Sequence, residues 1–79
     1  MKKYSVLRDM LYQNGLPMDN ITEFTTNNLK DATAFYNKLI AEIEFYDERN
    51  TGASLIKNIK NDPGDYDMDT LERYIHGQS

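Results

Sequence analysis

The sequence predicts an all-α protein, a small bundle of three to five helices built around one long amphipathic helix at about residues 28–50. Between Asn28 and Asn50, apolar residues recur every three or four positions, at Leu29, Ala32, Tyr36, Leu39, Ile43 and Tyr46. This spacing places them on one face of a helix of about six turns. Glycine and proline residues divide the rest of the 79-residue chain into short segments that also suit helices.

The predicted long helix carries a second set of residues on the face opposite this stripe. Phe35 and Ile40 flank the stripe and make it too wide for a two-stranded coiled coil, which favours a globular bundle. Two interpretations of the opposite face remain open. Either Phe45 is a single exposed aromatic side chain, or it belongs to a second contact ridge of four residues. Those four residues are Ala34, Lys38, Ala41 and Phe45.

The segments before the long helix predict one further helix and one ambiguous stretch. Residues 3–14 are expected to form a helix that buries Tyr4, Leu7 and Leu11. Gly15 and Pro17 mark its end, because glycine accepts a left-handed backbone and proline cannot continue a helix. Residues 19–26 suit either a short helical turn, which we favour, or an extended segment.

Polar residues mark both ends of the long helix. Asn28 is the expected N-cap, with Asp31 in the first turn where the helix dipole favours negative charge. Residues 50–52, Asn-Thr-Gly, are the expected C-terminal turn, after which Ser54 begins a third helix that reaches Asn61. One continuous helix through Gly52 is the alternative, although glycine costs about 1 kcal/mol inside a helix.

The end of the chain predicts a turn and a last helix. Residues 62–65, Asp-Pro-Gly-Asp, read as a turn. A helix from Met68 to His76 is expected to follow, with Asp67 or Asp69 as its cap and Gly77 as its stop.

The negative charge of the protein lies in its last 18 residues. Residues 1–61 carry eight acids and eight bases, whereas residues 62–79 carry five acids and one base, which accounts for the whole net charge of −4. The chain is predicted to form a single helical domain, residues 1–79, with an acidic C-terminal segment at residues 62–79. This charge argues against direct binding of nucleic acid, since phosphate neutralisation requires a basic face.

Known catalytic and metal-binding patterns do not occur in the sequence. The absence of cysteine excludes disulfides and thiolate metal sites, and no glycine-rich phosphate loop or HExxH sequence is present. Asp65, Asp67 and Asp69 match the first three ligand positions of a calcium loop, but Thr70 and His76 occupy the positions that require glycine and glutamate. We expect no enzyme activity, no cofactor and no metal, and we interpret His76 as a surface residue at a helix end.

These observations predict a non-enzymatic regulator, adaptor or inhibitor that binds another protein through a helical surface. A homodimer is expected, because a core this small without disulfides gains stability from a partner subunit. One alternative is an acidic DNA mimic that occupies the basic cleft of a nucleic-acid-binding protein. Another is a weak helix-turn-helix DNA binder that uses the segment 54–61. The candidate contact residues are Ala34, Lys38, Ala41, Phe45, Asp65, Asp67, Asp69 and Glu72.

The source and compartment are also expectations from composition. The amino terminus lacks the apolar run of a signal peptide, which predicts a cytoplasmic protein. Asn, Lys, Ile and Tyr are favoured over Ala, Arg and Gly, a bias typical of AT-rich genomes such as those of low-GC bacteria and their phages.

Overall fold

The computed structural model describes residues 2–14, 16–61 and 65–77, which form four strands and one helix. The strands make one antiparallel sheet in the spatial order β2-β1-β3-β4. The prediction of an all-α bundle is therefore wrong. In chain order the elements are β1 (Tyr4–Leu11), β2 (Pro17–Thr26), α1 (Leu29–Phe45), β3 (Thr51–Asn61) and β4 (Asp65–His76).

Every helix predicted outside the central segment is a strand. The segment 3–14 contains β1, and 19–26 lies within β2, so the extended alternative for that stretch is correct. The third predicted helix, 54–61, lies within β3, which also excludes one continuous helix through Gly52. The last predicted helix, 68–76, lies within β4. Gly15 and the turn at 62–64 lie outside the described residues.

The central strand β1 buries side chains on both faces of the sheet. Tyr4 and Val6 point to the side that α1 covers, which we call the helix side, and join the main core. On the other side, Leu11 of β1 and Ile56 of β3 are also buried, at 5% and 4% exposure. A strand buried on both faces loses the simple alternation of apolar and polar residues. For this reason the segment resembles a helix in sequence.

The central helix is present, with the expected N-cap and an earlier end. The Asn28 side chain accepts hydrogen bonds from the backbone N–H groups of Lys30 and Asp31, which confirms the predicted cap. The helix ends at Phe45, not at residues 50–52, because Asp47 takes a left-handed conformation with φ 49°. Its backbone N–H and that of the next residue bond to the last turn, in the pattern of a Schellman motif.

The apolar stripe of α1 packs against the sheet and not against other helices. Its buried residues are Ala32, Tyr36, Leu39 and Ile43, and they contact Tyr4 and Val6 of β1 and Ala53 and Leu55 of β3. The two ends of the predicted stripe, Leu29 and Tyr46, are exposed. One helix on one sheet therefore forms the main core.

The β3–β4 hairpin extends beyond the other strands. The last residue pair between β1 and β3 joins Tyr4 and Lys57. After it, β3 and β4 pair with each other from Asn58 and Met68 to Asn61 and Asp65. The molecule is accordingly elongated, with principal extents of 41 × 25 × 16 Å. No helix in the described part of the chain is both long and apolar enough to cross a membrane.

Candidate protein-binding surfaces

The outer face of α1 carries the four residues predicted as a second ridge. Because the stripe on the opposite face packs against the sheet, Ala34, Lys38, Ala41 and Phe45 all lie exposed, and we call this set the outer ridge. Phe45 is 81% exposed. The ridge combines two small residues, which allow close approach of another surface, with one large aromatic group at its end.

The aromatic end of the outer ridge is larger than the sequence predicted. Tyr46 is 67% exposed and lies edge-on to Phe45, with ring centroids 4.9 Å apart and an interplanar angle of 86°. The sequence stripe placed Tyr46 in the core, and this assignment is wrong because the helix ends one residue before it. Two adjacent aromatic rings therefore face solvent at the C-terminal end of α1.

A chain of polar contacts joins the end of β4 to the loop that follows α1. Nε2 of His76 lies 2.7 Å from Oδ1 of Asp47, and the Tyr74 hydroxyl lies 3.0 Å from Nδ1 of the same imidazole. His76 was expected at a helix end, and it is the last residue of a strand instead. Asp47 and His76 are 29 residues apart, so no sequence signal connects them.

The contacts Tyr74–His76–Asp47 follow the order of a nucleophile, a base and an orienting carboxylate, but the tyrosine is not suited to act as a nucleophile. Desolvation by burial raises the pKa of Tyr74, and the charge and hydrogen bond of Glu44 raise it further. The hydroxyl therefore remains protonated at neutral pH and acts as a hydrogen-bond donor. The contacts support a structural connection between β4 and the end of α1.

A second charged network was not predicted from the sequence. The half-buried guanidinium of Arg8 lies on the helix side of β1 and contacts three carboxylates. Its distances are 3.6 Å to Glu23 of β2, 3.7 Å to Glu42 of α1 and 2.5 Å to Glu48 in the loop before β3. Three separate parts of the chain thus meet at one cation.

The predicted acidic residues lie along a strand at the edge of the sheet. Asp65 begins β4, and Asp67 and Asp69 follow it at alternate positions, so the side chains of Asp67 and Asp69 point toward one side of the strand. Glu72 follows a bulge, so it stands opposite Leu55, on the same helix side as Asp69 opposite Lys57. The interpretation of these acids as helix caps is wrong, since the segment contains no helix N-terminus.

The two predicted sets of contact residues lie on different elements. The outer ridge belongs to the helix, and the acidic residues belong to an edge strand. The segment 54–61, which the helix-turn-helix alternative requires as a helix, is part of strand β3, and this excludes that motif. Within residues 2–14, 16–61 and 65–77, we find no pocket and no group of three acidic or histidine side chains placed to hold a metal ion. Comparison with protein-family models, curated proteins and solved structures gives no match to this chain.

Proposed function

We propose that the protein is a small non-enzymatic regulator, adaptor or inhibitor that binds another protein through the outer ridge of α1. The observation that carries this proposal is the exposed pair of Phe45, at 81%, and Tyr46, at 67%. Aromatic residues are enriched in interfaces because they bury a large area while losing few rotamers. Two adjacent exposed rings at one helix end would provide an apolar anchor for a partner.

The rest of the ridge suits a partner that lies along the helix. From Ala34 to Phe45 the helix rises about 16 Å, which is a length of three turns. Ala34 and Ala41 allow a partner backbone to approach closely, and Lys38 lies exposed between them. The expected interface is therefore an apolar contact centred on the aromatic end, with a charged residue beside it.

Replacement of Phe45 by glutamate tests the ridge directly. We expect Phe45→Glu to lose the protein that the wild-type chain retains from a lysate of its host, because a charge replaces the apolar anchor. Leu16→Glu is the matched control, since Leu16 is also exposed, at 59%, but lies in the β1–β2 hairpin. Retention of the same protein by Phe45→Glu would contradict the proposal.

We place a homodimer contact on the same ridge. In sedimentation equilibrium, the wild-type chain should behave as a dimer and Phe45→Glu as a 9.2 kDa monomer with unchanged helix content. The Leu16→Glu control should remain dimeric. A single 9.2 kDa species for the wild type at high micromolar concentration would exclude the dimer and leave the ridge free for another protein.

A second candidate function is an acidic decoy for a nucleic-acid-binding protein. It is favoured by the position of Asp67 and Asp69 at alternate residues of an exposed edge strand. The repeat of two strand residues is about 6.7 Å, so carboxylates follow one another in a line, as phosphates do along an extended nucleic acid strand. Such a line of negative charge could occupy a basic cleft.

The decoy predicts strong dependence on salt and on these carboxylates. Partner binding should weaken steeply between 0.1 and 1 M salt, as the Debye length falls from about 10 Å to about 3 Å, and DNA should compete. Replacement of Asp65, Asp67 and Asp69 together by asparagine should abolish binding. If a captured partner still binds the triple variant, and binds it independently of salt, the decoy is excluded and the ridge remains as the proposed site.

A further inference from the structure

Over its first half, the outer edge of β4 is more regular than the opposite edge of the sheet, which β2 forms. β4 is the last strand in the sheet order, and β3 is its one strand neighbour within the described residues. From Asp65 to Thr70 it pairs with β3 without a register shift. Residues 67–73 are all exposed. A strand edge of this kind presents backbone donors and acceptors to which another strand can add.

The opposite edge of the sheet is less suitable for an added strand. Strand β2 begins with a proline, which lacks a backbone N–H group. Its pairing with β1 has two register shifts, one next to Phe24 and one next to Pro17. Bulges of this kind disturb the regular spacing of backbone groups. An incoming strand would therefore find its best template at β4.

The side chains of β4 select the chemistry of that strand. Asp67 and Asp69 lie toward the helix side, whereas Met68 and Thr70 lie toward the other side, and Met68 is 66% exposed. Asp69 has Lys57 of β3 opposite it on its inner side. On its outer side, the opposite residue would belong to the added strand. Opposite charges across neighbouring strands are favourable, and apolar groups pair on the other face.

A second copy of the chain does not match this edge. If two β4 strands paired antiparallel over residues 65–69, with both helices on the same side of the joint sheet, aspartates of one copy would stand opposite aspartates of the other. Like charges directly opposite one another destabilise a strand pair. The same charges therefore disfavour self-association and favour a basic strand.

We propose that β4 is a docking site for an extended, basic segment of a partner protein, which adds to the sheet as a fifth strand with alternating cationic and apolar residues. Cationic residues of that segment would lie beside Asp67 and Asp69, and apolar residues beside Met68. This site goes beyond the outer ridge and uses a different element. It differs from the decoy because the backbone of β4 takes part in recognition.

The test is a titration of the isotope-labelled full chain with two synthetic peptides of alternating lysine and valine, followed by NMR. One peptide has an ordinary backbone, and the other carries a methyl group on every backbone amide nitrogen, so that it keeps its charge but has no backbone hydrogen-bond donor to offer to β4. We expect the ordinary peptide to shift the amide resonances of residues 66–72 and the methylated peptide to bind at least about tenfold more weakly.

Matched charge variants complete the test. Asp67→Asn with Asp69→Asn should weaken binding of the ordinary peptide by roughly tenfold. Asp19→Asn with Asp31→Asn removes the same charge elsewhere and should leave the affinity within about twofold. Circular dichroism checks that each variant folds.

Four results would overturn the proposal. Equal binding of the two peptides would show attraction by charge alone, which leaves the decoy standing. Shifts at β2, or no shifts at millimolar peptide, would remove β4 as the docking site. Shifts of β4 resonances with protein concentration alone would assign its edge to a second copy. None of these results bears on the outer ridge, which Phe45→Glu tests separately.

Discussion

Replacement of Leu39 by alanine should lower the free energy of unfolding by about 2 to 5 kcal/mol. Leu39 is 2% exposed and lies in the middle of the buried face of α1, in the cluster that joins the helix to β1 and β3. The loss has two parts, the burial of the removed methyl groups and the cavity that remains. Within residues 2–14, 16–61 and 65–77, α1 is the one helix on this side of the sheet, so no second helix is present there to close that cavity.

The loss is large in relation to the protein. A domain of 79 residues buries only about 60 to 65% of the surface of its unfolded chain, and its expected total stability is about 4 to 12 kcal/mol. Leu39→Ala could therefore unfold part of the population at 25 °C. Chemical denaturation monitored by circular dichroism measures the effect. Ala41→Ser, on the exposed face of the same helix, should stay within about 0.5 kcal/mol of the wild type, and a value that small for Leu39→Ala would contradict the assigned core.

The helix could be predicted because its signal is local. Its apolar residues recur with the helical period over four turns, and Asn28 is followed by backbone groups that its side chain can cap. These features depend only on neighbours within the segment. The end of the helix was less clear, because the left-handed residue is Asp47 and not the glycine that usually marks this position.

The last strand shows how a bulge changes the apparent period. From Asp65 to Thr70, acidic residues alternate with Tyr66, Met68 and Thr70, which is the period of a strand. After the bulge at Leu71 the phase changes, so Leu71, Tyr74 and Ile75 fall at helical spacing. The sequence prediction followed this second half. The alternation in the first half was the signal that could have identified β4.

The first hairpin was missed for a different reason. Asn14 and Gly15 form a dipeptide typical of tight turns between strands, but the apolar residues before it were interpreted as a helix that glycine ends. β1 is buried on both faces, so its residues show no clean alternation. Its identity as a strand depends on partners far along the chain, such as Leu55, which pairs with Val6.

The candidate surfaces were predictable to different extents. The outer ridge follows from the helix period, because the face opposite a buried stripe must point outward. The acidic residues could be listed from the sequence, but their arrangement along a strand edge required the sheet topology. Arg8 contacts carboxylates 15 to 40 positions away, and His76 contacts Asp47 across 29 positions, so local sequence patterns contain no trace of these contacts.

Removal of the Arg8 cation is the second substitution with a large expected effect. Its side chain is 19% exposed and lies among Glu23, Glu42 and Glu48. Arg8→Met keeps much of the apolar volume of the side chain but leaves three carboxylates facing one another without a counter-charge. Breaking a fully buried ion pair costs about 3 to 5 kcal/mol, and partial exposure reduces this through solvent screening. We expect a loss of about 2 to 3 kcal/mol in the free energy of unfolding.

A double-mutant cycle separates the charge effect from lost packing. Glu48 is the nearest carboxylate, so Glu48→Gln should remove part of the repulsion in the Arg8→Met background and cost less there than in the wild type. The coupling between the two substitutions should be about 1 to 2 kcal/mol. Lys30→Met removes the same charge from an exposed position and should change stability by less than about 0.5 kcal/mol. If Arg8→Met also had a surface-sized effect, or showed no coupling to Glu48→Gln, the network would not contribute to holding β1, α1 and the following loop together.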